Sequence, residues 1–116
     1  MAIDPVTGNV LVADANNNRI VELSATADAG TISWVRSRGG FKRPSGVARD
    51  DLGRTYVADS LNDRVAVLSA TNWSTTTAEL TDGMAQPEQV AVGPDGRIYV
   101  SDTYHDRILV YAYPAP

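Results

Sequence analysis

Three carboxylate–guanidinium pairs recur at one spacing in this chain: Asp14 with Arg19, Asp59 with Arg64, and Asp102 with Arg107. The partners stand five positions apart each time. An Asp so placed can accept turn N–H groups while the Arg reaches back to the same carboxylate or to carbonyls. Recurrence assigns the six residues to structural turns, since a ligand site seldom needs one pair in every copy. Asp14-Ala15-Asn16-Asn17-Asn18 also opens like a calcium loop. Its sixth and twelfth positions are Arg19 and Ala25, where such a loop needs Gly and an acid. His105 is the single histidine and there is no cysteine, so thiol catalysis, disulfides, thiolate zinc and a three-His centre drop out. No Ser-His-Asp set, phosphate-binding glycine loop or acid/base carboxylate pair stands out, and no catalytic residue or metal ligand is assigned.

The elements that position these pairs come from an internal repeat. Gly8, Gly53 and Gly96 lie 45 and 43 residues apart, and the three Asp and three Arg keep the same intervals. Leu23-Ser24-Ala25-Thr26 returns as Leu68-Ser69-Ala70-Thr71. Each copy reads as strands joined by turns: Ile98-Tyr99-Val100 and Ile108-Leu109-Val110-Tyr111 are β-branched and aromatic, and Pro94-Asp95-Gly96 has tight-turn chemistry. Val65-Ala66-Val67-Leu68 is apolar throughout, so the pattern predicts a sheet covered on both faces. In the second copy the predicted strands, inside to outside, are Ser45–Arg49, Arg54–Ala58, Arg64–Leu68 and Trp73–Leu80. No helical periodicity occurs. The fold class is all-β, and a period of about 40–45 residues with four strands is that of a β-propeller blade.

Val47-Ala48 through Leu68 and Val90-Ala91 through Tyr111, with Ala2 through Leu23 from inside the first copy, resemble the NHL repeat. The Asp-x-x-(Asn/His)-(Asn/Asp)-Arg turn carries the resemblance. It implies a mostly six-bladed propeller, used chiefly as a platform for proteins, RNA or surface ligands. It also points to relatives that are enzymes, an amidating lyase and calcium-dependent lactonases among them. The expected blades are residues 1–40, 41–84 and 85–116, the last without its outermost strand: about eleven strands and just under three blades, half of a six-bladed ring. A full ring needs roughly 250 residues at this period. The expected partners are therefore a second copy closing the ring, a head-to-tail filament, or further blades of a longer chain.

The remaining candidates are weaker. The starts of the innermost strands ring a propeller's channel, where ligands commonly sit. Glu88 there is the residue type that holds a divalent cation in lactonase-like propellers. Arg49 stands where the other copies have Ile3 and Val92, placed to line the channel and meet an anion or to snorkel from a blade edge. The segment 36–43 carries Arg36, Arg38, Lys42 and Arg43 with no acid. It suits a phosphate or RNA contact with Phe41 stacking, or a solvated inter-blade loop. Asn72-Trp73-Ser74 fits an N-glycosylation acceptor, used only where the chain passes through a glycosylating compartment.

The net charge of −4 over 116 residues argues against a dedicated nucleic-acid binder. No apolar run approaches the roughly 20 residues of a membrane span, and the first residues do not read as a signal peptide. An extracellular or periplasmic site is slightly favoured if the chain is a fragment. The sequence thus predicts a non-enzymatic binding or assembly scaffold without a cofactor. Part of a metal-dependent lyase or lactonase is the first alternative, and an RNA-binding module the second.

Overall fold

The computed structural model describes residues 1–25 and 32–112. Eleven strands form three antiparallel sheets. The first sheet holds β1 (Ala2–Ile3), β2 (Val10–Asp14), β3 (Arg19–Ala25) and β4 (Ile32–Arg38). The second holds β5 (Pro44–Arg49), β6 (Thr55–Asp59), β7 (Arg64–Leu68) and β8 (Thr76–Leu80). The third holds β9 (Pro87–Val92), β10 (Arg97–Asp102) and β11 (Arg107–Ala112). Neighbours in sequence are neighbours in each sheet, so every sheet is a meander.

Turn chemistry sets the register. The hairpin between the second and third strands of each sheet closes through one 3₁₀ turn, at Ala15–Asn17, Ser60–Asn62 and Thr103–His105. Each turn ends on a left-handed residue, Asn18, Asp63 or Asp106, with φ between 51° and 54°. Asn and Asp tolerate that conformation because their short polar side chains bond locally. Asp then pairs with Arg across the first rung: Asp14 with Arg19, Asp59 with Arg64, Asp102 with Arg107.

Stacking makes the core, because each strand buries alternate residues on opposite faces. Ala2, Leu11, Ala13 and Ile20 of the first sheet meet Val47, Val57, Ala66 and Leu68 of the second, with Phe41 and Trp73 closing the cluster. The opposite face of the second sheet, Ala48, Tyr56, Ala58, Val65 and Val67, meets Val90, Ile98 and Val100 of the third, with Leu109 and Tyr111 alongside. Val65 through Leu68 are wholly buried, as the unbroken apolar run requires for a sheet covered on both sides. Inner strands approach closely at Gly46, where a Cβ would sit 2.7 Å from the Glu88 carbonyl oxygen.

The inner strands of the second sheet shift by one residue from the sequence reading, and two differences are larger. Arg36, Ser37 and Arg38 belong to β4 rather than to an inter-blade loop, because they pair with Glu22, Val21 and Ile20. The outer strand of the second sheet begins at Thr76; Trp73 precedes it, buried in the turn. Thr26, the end of one repeated tetrad, and residues 113–116 of the expected third blade lie outside the described residues.

Candidate functional site

The three Asp–Arg turns form one recurring construction. Arg19 Nε donates to Asp14 Oδ2 at 2.7 Å, Arg64 Nε to Asp59 Oδ2 at 2.7 Å, and Arg107 Nε to Asp102 Oδ2 at 2.6 Å. The same carboxylate oxygen meets Asn17, Asn62 or His105 from the turn. In the second and third sheets the other oxygen accepts the N–H of Lys42 (2.6 Å) or Ala85 (2.8 Å), each 17 residues upstream. Asp59 and Asp102 therefore clamp the incoming linker to the hairpin. Burial opposes ionisation of Asp102, but the Ala85 N–H, Arg107 and His105 outweigh it and draw its pKa down to about 2. Asn17 and Arg19 lower the pKa of Asp14 likewise.

A second set of bonds ties one sheet to the next. Asn18 Oδ1 accepts the Arg43 N–H at 3.0 Å, and Asp63 Oδ1 accepts the Gln86 N–H at 2.9 Å. Arg43 and Gln86 themselves have positive φ, so each linker makes the same sharp entry into its innermost strand.

Arg49 lies between the first and second sheets and is 7% exposed. Its Nη1 donates to Asp4 Oδ2 at 2.7 Å and Glu22 Oε2 at 3.0 Å, its Nη2 to Glu22 Oε1 at 2.9 Å, and its Nε to Thr55 Oγ1 at 3.1 Å. Glu22 also accepts from Arg36 Nε at 2.8 Å and Asn9 Nδ2 at 2.9 Å. Burial disfavours Asp4 and Glu22 as anions, yet Arg49 holds both near pKa 2, helped at Asp4 by the Val6 and Thr7 N–H groups and at Glu22 by Asn9 and Arg36. Arg49 is likewise penalised by burial and held protonated by Glu22 and Asp4. The guanidinium is thus occupied within the protein. Asp4 and Glu22 were not among the sequence candidates. The available signal was a compensating pair: Glu22 stands where the other copies have Val67 and Val110, and Arg49 where they have Ile3 and Val92.

The other candidates are not brought together. Arg38 donates to the Trp73 carbonyl at 2.6 Å and to Thr76 Oγ1 at 3.2 Å, crossing to the second sheet, and its guanidinium lies 5.2 Å from the Phe41 ring centre. Phe41 is buried, so its ring is not presented for base stacking. Lys42 and Arg43 are exposed in the linker. Glu88 is exposed near the start of β9, and its carbonyl accepts from Ser45 Oγ at 2.8 Å. Asn72 is exposed, and its Oδ1 accepts from the Ser74 N–H and hydroxyl. At the other end of the inner strands, the turns of all three sheets surround an open concavity of about 940 Å³, with Ile3, Pro5, Leu52, Pro94 and Arg97 in its lining. Among the described residues no group of three or more His, Cys, Asp or Glu is placed to hold a metal ion. No helix among them is long and apolar enough to cross a membrane.

Two sheet faces carry exposed apolar side chains. On the third sheet, Ile108 is 62% and Val110 51% exposed, whereas Val65 and Val67, their equivalents in the second sheet, are wholly buried. Beside them Ala91, Tyr99 and Ser101 line a shallow apolar cleft of about 190 Å³ with Ile108. On the outward face of the first sheet, Ile3 and Trp34 are about as exposed.

The NHL repeat family model matches residues 84–111. No curated protein sequence matches significantly. Among solved structures, a luciferin-regenerating enzyme superposes with a TM-score of 0.69 at 22% identity over 85% of this chain and 35% of its own. A chain of the nidogen/laminin complex gives 0.70 at 18% identity over 93% and 40%. Streptogramin B lyase gives 0.65 at 17% identity over 97% and 39%. The chain spans well under half the length of each, and at these identities the likeness concerns the fold. The protein therefore has the β-propeller fold, its three sheets are consecutive blades, and residues 84–111 of the third blade match the NHL repeat model.

Proposed function

We propose that the chain is a non-enzymatic binding and assembly module whose outward blade faces are docking surfaces. One observation carries this reading: Ile108 and Val110 are exposed where the repeat-equivalent Val65 and Val67 are buried by the next blade. A face built on the pattern that packs against a neighbouring blade is suited to another blade. Burying it gains about 25 cal/mol for each Å² of apolar surface removed from water.

The chain's lack of cysteine gives a direct test. The thiol introduced by Ile108→Cys reports access to the face through its rate of reaction with a maleimide in the producing cell. A docking face shields that thiol relative to one introduced by Leu52→Cys at an exposed turn. Equal rates would defeat the reading.

A further inference from the structure

The two blade interfaces differ at one repeat-equivalent contact, and that contact indicates what the outward faces fit. Each blade has one face toward its predecessor and one toward its successor. At the position three residues after the turn arginine, the successor face carries Glu22, Val67 and Val110 in the three blades. Opposite it, the predecessor face carries the last inner-strand residue: Ile3, Arg49 and Val92, whose cross-strand partners are Val10, Thr55 and Ile98. Between blades one and two the contact is the Glu22–Arg49 ion pair. Between blades two and three Val67 and Val92 share an apolar cluster. The contact is matched in kind both times, ion with ion and aliphatic with aliphatic.

The outward faces hold the unmatched members, Val110 on blade three and Ile3 on blade one. Both are aliphatic and both are more than half exposed. The rest of each face agrees. Ala91, Tyr99, Ser101, Ile108 and Val110 repeat the pattern of Ala48, Tyr56, Ala58, Val65 and Val67. Val10, Val12, Val21 and Leu23 of blade one stand where blade three sets Ile98, Val100, Leu109 and Tyr111 against blade two. An interface of the kind already present between blades two and three can therefore form between blade three of one copy and blade one of another. A blade with arginine at this position would bury an unpaired charge against Val110, which disfavours such a partner.

Resting on the docking reading, we propose that a second copy of this chain is the partner. Its blade one covers blade three of the first copy, Ile3 meets Val110, and the reciprocal contact closes a two-fold ring of two chains. A closed two-fold assembly uses both outward faces of both copies and leaves none to propagate.

The contact can be rewritten. Val110→Glu and Ile3→Arg each place one charge at an aliphatic contact. Each single variant should weaken dimerisation more than about 100-fold, to a monomer in sedimentation at micromolar concentration. Mixed in equal amounts, the two monomeric variants should recover a dimer: one interface then carries a Glu–Arg pair like Glu22–Arg49, and the other keeps valine against isoleucine. Because each variant's fold is confirmed by the pairing of the mixture, misfolding cannot imitate this result. The wild-type chain should sediment as one species of twice its 12.4 kDa mass. A wild-type monomer, or single variants that remain dimeric, would overturn the proposal. A ladder of higher masses would also overturn the closed pair while leaving blade-face docking intact. If the purified chain is monomeric but the thiol introduced by Ile108→Cys is shielded in the cell, the second copy is wrong and docking stands. If that thiol is reactive in both settings, both fail.

Discussion

The Arg49 guanidinium grips both oxygens of the Glu22 carboxylate, at 3.0 and 2.9 Å, across the boundary between the first two blades. Such two-point geometry fixes orientation as well as distance. With Asp4 on the other side of Nη1, it joins three parts of the chain that are far apart in sequence. Buried ion pairs add little net stability compared with well-packed aliphatics, but losing one partner is costly.

The first prediction follows from that asymmetry. Glu22→Val or Arg49→Val alone leaves buried charge without its partner and should destabilise the chain by about 3–5 kcal/mol. The double variant restores an aliphatic contact like Val67–Val92 but leaves the buried Asp4 without its guanidinium, so it should recover only part of the loss. Urea unfolding of the four proteins measures the coupling, and additive losses would show that the pair does not act as a unit.

Acid should act on the same cluster. Asp4 and Glu22 have pKa values near 2, below the ordinary carboxylate range, because their charged forms are favoured in the fold. Their contribution is complete above about pH 4–5 and is lost as pH falls through 4 toward 2. Asp102, also near 2, follows the same sign. Urea midpoints measured from pH 7 to pH 2 should fall along this limb. The Glu22→Val/Arg49→Val variant should show a shallower decline, and an unchanged slope would remove these groups from the acid response.

Gly46 is predicted to be intolerant for a steric reason. An added Cβ would lie 2.7 Å from the Glu88 carbonyl oxygen and 2.9 Å from Gln89 Cα, both backbone atoms of the adjacent inner strand. Gly46→Ala must push β5 and β9 apart and should cost about 1–3 kcal/mol. Gly39→Ala, whose Cβ meets nothing closer than 4.0 Å, is the control in the same unfolding assay. Equal stability of the two variants would refute the close-approach argument.

The linker clamp gives a local prediction. Asp59→Asn keeps the shape but weakens the charge-assisted bonds to Arg64 Nε and the Lys42 N–H. Hydrogen exchange should accelerate at Lys42 and at Leu61, whose N–H donates to the Lys42 carbonyl. The amides of β10 and β11 should keep their rates. Uniform acceleration would mean that Asp59 supports the whole fold rather than this junction.

The fold was legible because its signals are local and repeated. Turn glycines, the Asp–Arg spacing and β-branched runs lie within about twenty residues of one another, and three copies hold them in register. The Arg49 cluster was less legible because its members are 27 and 45 residues apart and meet only once the blades stack. Arg49 could be singled out as an arginine among aliphatics, but its partners depend on which faces turn inward. The cations at 36 and 38 looked like linker charge because Ser and Arg dominate there. Their strand position is set by pairing with β3, which the segment's composition does not encode.

Proximity of Ile3 and Val110 between copies tests the central claim most directly. The chain has no native cysteine, so a variant carrying both Ile3→Cys and Val110→Cys offers two thiols for a short bis-maleimide cross-linker. The account predicts a covalent species of twice the chain mass from the double variant and none from either single variant, because like positions do not meet across the two-fold ring. Absence of that species from the double variant, or its formation by a single variant, would contradict the account.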